Sequence, residues 1–173
     1  MKGAAEAELP ESADAVAGAV LEMWPTALTF AISFLVIGQF WIAHHRSFRH
    51  LRRVDSGLLW CNLVFLLTVS FMPVPTAVLG SVPANEDRFP VVFYALSMTV
   101  ASLSLTVTWR YAVHRRLLDD AVSAGDIRRV SRRAYTTSLI FAVSVAAAFL
   151  GLTVAVVFWL VVLPGARVLV SRR

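Results

Sequence analysis

Charged residues are scarce in this sequence, and four long stretches lack them altogether. Only 16% of the 173 residues are Asp, Glu, Lys or Arg, against about 25% in soluble domains. With His counted as neutral, no charge occurs in residues 23–45, 56–85, 89–109 or 134–166. Each stretch reaches or exceeds about 20 residues, the length of a helix that crosses a bilayer. This pattern predicts an integral membrane protein and excludes a soluble globular fold.

Cysteine and targeting features are equally sparse. The single cysteine, Cys61, lies in an apolar run, so the sequence has no intrachain disulfide and no paired-cysteine metal or redox motif. The N-terminus lacks the apolar core of a signal peptide, because acidic residues follow Lys2 at Glu6, Glu8, Glu11 and Asp14. We expect residues 1–23 to form an acidic segment outside the membrane, on its extracytoplasmic side.

No acidic or basic side chain lies at the centre of an apolar stretch. This argues against a proton relay, a voltage sensor or a charge-coupled transporter. There is also no nucleophile–base constellation and no phosphate-binding loop, so we predict no catalytic residues, no cofactor and no metal. A haem or metal protein is kept as an alternative, because the four histidines share one side of the predicted membrane: His44, His45, His50 and His114.

The apolar stretches predict an all-α, polytopic transmembrane bundle with five spans in residues 24–173. The spans are predicted at about residues 24–43, 57–78, 89–110, 134–149 and 151–167. Pro73 and Pro75 are expected to break or kink the second span. A single helix over 134–166 is the alternative to the last two spans. It would be about 50 Å long, well beyond the hydrocarbon core of about 30 Å.

Basic residues predict the orientation of the bundle. Arginines concentrate in residues 46–53 and 110–133, between predicted spans, and such loops stay in the cytoplasm. Five spans place every Lys and Arg except Lys2 and Arg88 on that side. The prediction is a multi-pass cell-membrane protein with its N-terminus outside and its C-terminus cytoplasmic. Membrane topology thus accounts for the net charge of +5, and the expected partner is the lipid bilayer rather than nucleic acid.

Loop and polar positions give further expectations. We expect the basic loop after the third span to extend that helix and to turn near Gly125. Asn62 lies inside the second span and needs a partner on a neighbouring helix; structural packing and support of a pore both stay open. One face of the third span is predicted to pack closely, with lining a water-filled path as the alternative. That face comprises Ser97, Ala101, Ser104 and Thr108.

A set of motifs resembles a known family. The run SFLVIG is followed by W-x-x-H-H, with Trp41, His44 and His45, then by Asp55 and by L-W-x-N-L, with Asn62. Prolines end that helix. This order and spacing resemble the second and third helices of the prokaryotic transmembrane protein 175 family, which are potassium channels related to the lysosomal channel of animals. The looser resemblance covers about residues 20–170.

The resemblance implies a six-helix subunit with cytoplasmic ends, homotetramers, and potassium ions as cargo. It implies that the family's first helix, which begins with R-x-x-x-F-S-D, lines the pore with bulky aliphatic constriction residues. It also implies that Trp41, His44 and Asn62 brace that helix.

The sequence departs from the family pattern, because it has no F-S-D and no apolar helix before Trp24. Five spans instead of six agree with loss of the first helix. Either the coding sequence starts upstream of Met1, which we favour, or the chain is a shortened paralogue that assembles with a full-length subunit. The hypothesis is a potassium-channel subunit that cannot form the pore alone. The alternative is a non-conducting membrane scaffold or accessory subunit.

Overall fold

The computed structural model describes residues 23–81, 88–150 and 154. Five helices and no strand form in this part of the chain, which confirms the predicted all-α class. The helices are α1 (Trp24–Phe48), α2 (Ser56–Phe71), α3 (Pro73–Ser81), α4 (Phe89–His114) and α5 (Ala124–Ala148). Apart from Met23 and Val154, the predicted segments 1–23 and 151–167 lie outside the described residues.

Among the described residues, two helical segments are long and apolar enough to cross a membrane by length and composition. They are Ser56–Ser81, which joins α2 to α3, and Phe89–His114, which is α4. Their side chains are uncharged over a long stretch, and their helical backbone satisfies its own polar groups, as hydrocarbon requires. The count of five spans and their orientation stay predictions.

Proline breaks the second apolar segment where the sequence predicts it. Pro73 has no N–H, so the regular helix ends at Phe71 and resumes as α3. Met72 N donates to Val69 O at 3.1 Å, and Thr76 N donates to Met72 O at 3.2 Å. The Thr76 hydroxyl donates to the same Met72 carbonyl at 2.8 Å, which satisfies backbone groups near the break.

The core lies around α4, which packs on α5 and α2 most extensively. A cluster of buried apolar residues joins α1, α2, α4 and α5, and its large members include Phe40, Phe65, Met98 and Phe141. The Phe40 and Phe141 rings stack at 5.5 Å between centroids. This core fixes the helices against which the candidate site is built.

Small polar residues set how α4 meets α5. Ser138 Oγ lies 2.9 Å from both Ser102 Oγ and Thr106 Oγ1, and all three residues are buried. Trp109 Nε1 donates to Ser131 Oγ at 2.9 Å. Because small side chains let helix backbones approach and hydroxyls bond across them, these contacts fix the α4–α5 register.

The predicted packing face of the third span is confirmed. Ala101 and Thr108 are buried, and Ser104 Oγ lies 3.3 Å from Thr68 Oγ1 on α2. The hydroxyl of Ser97 donates to its own helix, to Phe93 O at 2.8 Å. The face therefore joins α4 to α2.

The predicted turn near Gly125 was wrong. Helix α4 ends at His114, the chain reverses within residues 115–123, and Gly125 lies in the first turn of α5. The cause is a strong helix start, because Asp126 N donates to Ser123 Oγ at 3.1 Å and the Ser123 hydroxyl donates to Asp126 Oδ2 at 2.7 Å. Arg116, with φ of 55°, makes the reversal possible.

Candidate functional site: the His44 network and the loop contact

His44 and Asn62 meet between α1 and α2. His44 Nε2 lies 2.7 Å from Asn62 Oδ1. An amide oxygen can only accept, so the His44 Nε2–H donates in this contact. Both residues are half-buried. The expected interhelical partner of the Asn62 amide is therefore His44.

Three aromatic rings stack with the His44 imidazole. The ring centroids of Trp41, Phe48 and Phe65 lie 5.8, 4.0 and 5.2 Å from that of His44, and all three rings stack. Trp41 and Phe48 flank His44 along α1, because helical neighbours at three and four positions share a face. Phe65 is 1% exposed, whereas Trp41 is 62% exposed. The cluster thus has one buried side and one open side.

The structure brings together all three residues that the sequence resemblance singles out. We call the cluster of Trp41, His44, Phe48, Asn62 and Phe65 the His44 network. Its aromatic members Phe48 and Phe65 were not predicted, although Phe48 stands four positions after His44. That Trp41, His44 and Asn62 brace a pore helix stays a prediction, since the contacts observed are among α1 and α2 themselves.

Asp55 forms a second polar contact near the same helix ends. Asp55 Oδ1 accepts from Leu58 N at 2.8 Å and caps α2. Asp55 Oδ2 accepts from the Tyr111 hydroxyl at 3.2 Å and lies 3.6 Å from Arg115 Nε. The Leu58 N–H above all, helped by Tyr111 and Arg115, holds the pKa of the Asp55 carboxyl below its usual value.

Backbone hydrogen bonds join the two arginine-rich loops, and we call this the loop contact. Leu117 O accepts from Arg52 N at 3.0 Å and from Arg53 N at 3.2 Å, and Asp119 N donates to His50 O at 2.9 Å. An exposed ion pair between Arg52 and Asp120 lies beside them. The loops after α1 and α4 are therefore bound to each other by the backbone rather than by exposed charges alone.

Gly57, in the first turn of α2, lies directly against Tyr111 of α4. A Cβ added at Gly57 would overlap the hydroxyl oxygen and Cζ of Tyr111. Only glycine leaves room for Tyr111 to reach Asp55. Sequence analysis missed this trio, although an Asp directly before Ser-Gly and an apolar run is a helix-start signal.

The remaining histidines do not form a metal site in the described chain. Within residues 23–81 and 88–150, no group of three or more His, Cys, Asp or Glu side chains could hold a metal ion. His50 instead lies edge-on to Trp109, with 6.2 Å between ring centroids.

The helices and their polar contacts define an all-α membrane protein. The family described as the endosomal/lysosomal potassium channel TMEM175 matches residues 4–73. This match contains α1, α2 and the whole His44 network. The chain is similar to the TMEM175 family over this segment, which confirms the resemblance found in the sequence. The family is one of ion channels and not of enzymes.

Three named relatives support this assignment. A potassium channel of Streptomyces collinus is 35% identical over 130 residues, which cover 73% of this chain and 63% of that protein. A potassium channel of Chryseobacterium sp. is 29% identical over 83 residues, 48% of this chain and 42% of the relative. The endosomal/lysosomal proton channel TMEM175 of Danio rerio is 24% identical over 97 residues, 56% of this chain and 18% of the relative.

The matched part spans less than two thirds of the length of each of these relatives. No solved structure matches the chain.

Proposed function

We propose that this chain is a subunit of a potassium-selective channel of the cell membrane. The observation that carries the proposal is the family match over residues 4–73, because this segment contains Trp41, His44 and Asn62. The Streptomyces collinus and Chryseobacterium relatives are both named potassium channels. A channel subunit also needs rigid contacts between its helices, and the His44 network provides such a contact between α1 and α2.

The ion path in this proposal lies outside the core of the described helices. The small cavity lined by Ser47, Leu58, Leu105 and Thr108 has a volume of about 10 Å³, room for about one water molecule. We therefore propose that residues 1–173 conduct only together with a further pore-lining segment and with other copies of the subunit or a full-length paralogue. Selectivity would come from a narrow apolar constriction that partly dehydrates the ion.

The proposed role of the His44 network is to brace that pore-lining segment. Trp41 presents an exposed indole on α1, while the opposite side of the cluster is anchored by the buried Phe65 ring. Asn62 fixes the His44 ring by accepting its Nε2–H. A segment that packs against Trp41 would then be supported by the His44 ring behind it, whose orientation Asn62 of α2 restricts.

Liposome flux tests the function. One preparation contains this chain alone, and the other contains the chain preceded by an apolar helix that begins with R-x-x-x-F-S-D, as the family resemblance implies. We expect potassium flux that exceeds sodium flux from the second preparation and negligible flux from the first. Negligible flux from both, with another membrane protein copurifying from native membranes, would indicate the accessory-subunit alternative. Equal potassium and sodium flux would contradict potassium selectivity.

A further inference from the structure

An open cavity of about 230 Å³ lies between α4 and α5 at their arginine-rich ends. Its lining comprises Arg110, Val113 and His114 from α4 and Ser131 and Tyr135 from α5. None of these residues belongs to the His44 network or to the Asp55 contact. The cavity is therefore a separate feature of the fold.

The polar groups around this cavity are hydrogen-bond donors that lack acceptors. Within the part of the chain that the structure describes, the side chains of Arg110, His114 and Tyr135 have no hydrogen-bond or ion-pair partner. Ser131 Oγ accepts from Trp109 Nε1 at 2.9 Å, and its own O–H has no acceptor in the same part. The lining thus presents a guanidinium, an imidazole and two hydroxyls.

The two helices that line the cavity supply no free negative charge. Helix α4 carries no acidic residue, and Asp126 is the sole acidic residue in the sequence of α5. Asp126 is already engaged by the Ser123 hydroxyl at 2.7 Å and by Arg129 Nη1 at 3.2 Å. The chemistry that satisfies several donors beside a fixed positive charge is a phosphate group, whose oxygens only accept.

The surface beyond the cavity is apolar and exposed. On α4, Val107 and Leu103 lie one and two turns from Arg110 and are 55% and 47% exposed. On α5, Leu139 lies one turn from Tyr135 and is 65% exposed. The two helices run antiparallel, with Trp109 bonded to Ser131 and Ser102 bonded to Ser138. These apolar side chains therefore continue from the cavity in one direction along both helices.

We propose that this cavity binds the phosphate group of an anionic phospholipid of the cytoplasmic leaflet. The acyl chains would lie along Leu103, Val107 and Leu139, which gives a lipid an advantage that a free phosphate lacks. The predicted orientation places the arginine-rich helix ends at the inner headgroup layer, whose anionic lipids attract basic residues. The site depends on membrane insertion and not on ion conduction.

Native mass spectrometry of the detergent-solubilised chain tests this site. The probes are short-chain phosphatidylglycerol and phosphatidylcholine with the same acyl chains. We expect phosphatidylglycerol to bind more tightly and Arg110→Gln to weaken it about fivefold, the factor expected for one arginine near an anionic surface. Tyr135→Phe should weaken binding in the same direction. Phosphatidylcholine binding should weaken less in both variants, because the choline cation offsets the charge of its phosphate.

The matched control is Arg46→Gln, which removes the same charge from an exposed arginine of α1. It should leave phosphatidylglycerol binding unchanged. If Arg46→Gln and Arg110→Gln weakened phosphatidylglycerol binding equally, the effect would come from net charge alone, and the site would be overturned. Displacement of the lipid by inorganic phosphate at equal concentration would overturn the lipid assignment. Equal affinity for the two lipids would overturn the assignment to an anionic lipid, whatever the potassium flux.

Discussion

The side chains of His44 and Asn62, which are 18 residues apart in sequence, join α1 to α2 through a 2.7 Å hydrogen bond. Interhelical hydrogen bonds in membrane proteins contribute about 0.6 kcal/mol on average and up to about 1.7 kcal/mol. The His44 ring also stacks with Phe48 and Phe65, which restricts the orientation from which it donates.

A double-mutant cycle should reveal this bond. We expect His44→Ala and Asn62→Ala each to lower the free energy of unfolding in detergent, with a coupling of about 0.6–1.7 kcal/mol between them. His45→Ala is the matched control, since His45 is exposed and adjacent in sequence. Strictly additive effects of the two alanine substitutions would show that the bond adds no stability.

Gly57→Ala and Gly38→Ala should have opposite effects. At Gly57 the new methyl overlaps Tyr111, whereas no atom lies within 4 Å of a Cβ added at Gly38. We expect Gly57→Ala to cost about 1–3 kcal/mol through overpacking. Gly38→Ala, inside α1, should stabilise by about 0.5–1 kcal/mol through helix propensity. Unfolding midpoints in detergent measure both, and a neutral Gly57→Ala would contradict the close approach of Tyr111.

The Asp55 carboxylate should make stability depend on pH. Its pKa is lower in the folded protein than in the unfolded chain, so the ionised form stabilises the fold above the ordinary value near 4. This contribution is lost as the pH falls through the lowered, folded-state value. We expect Asp55→Asn, which can still cap α2, to be less stable than wild type at pH 7.

The two proteins should converge in stability as the pH falls below about 4. Asp120→Asn is a suitable control, because Asp120 takes part in an exposed ion pair and such pairs contribute little. A difference between wild type and Asp55→Asn that stays constant down to pH 3 would argue against the charge as its cause.

The serine contact between α4 and α5 should tolerate loss of the hydroxyl better than added volume. Ser138 is buried against Ser102 and Thr106. We expect Ser138→Ala to cost about 0.6 kcal/mol and Ser138→Leu to cost about 1–3 kcal/mol. Leu139→Ala, at the exposed neighbouring position, should have little effect in detergent. Equal stability of Ser138→Leu and wild type would contradict the close packing.

The sequence predicted those features of the fold that solvent and local chemistry control. Long uncharged runs fixed the all-α class, and Pro73 fixed the break between α2 and α3, because each depends on local composition. The start of α5 was not anticipated, since the predicted span began at residue 134, where charge ends. The helix itself begins ten residues earlier, where Ser123 and Asp126 form a cap in water.

The candidate site was predicted only in part. Family resemblance identified Trp41, His44 and Asn62, which the structure brings together. It did not identify the stacking role of Phe65, because an apolar residue in an apolar span has no distinguishing pattern. The bond from Tyr111 to Asp55 joins residues 56 apart in sequence, and a single sequence contains no signal for such a pair.

The central claim is that the His44 network supports a potassium pore, and ion flux through variants tests it most directly. The chain preceded by the same R-x-x-x-F-S-D helix is reconstituted as wild type, His44→Ala, Asn62→Ala and the double variant. We predict that each single substitution lowers the ratio of potassium to sodium flux and that the double variant lowers it no further. A flux ratio unchanged in all three variants, with His45→Ala as the control, would contradict the account.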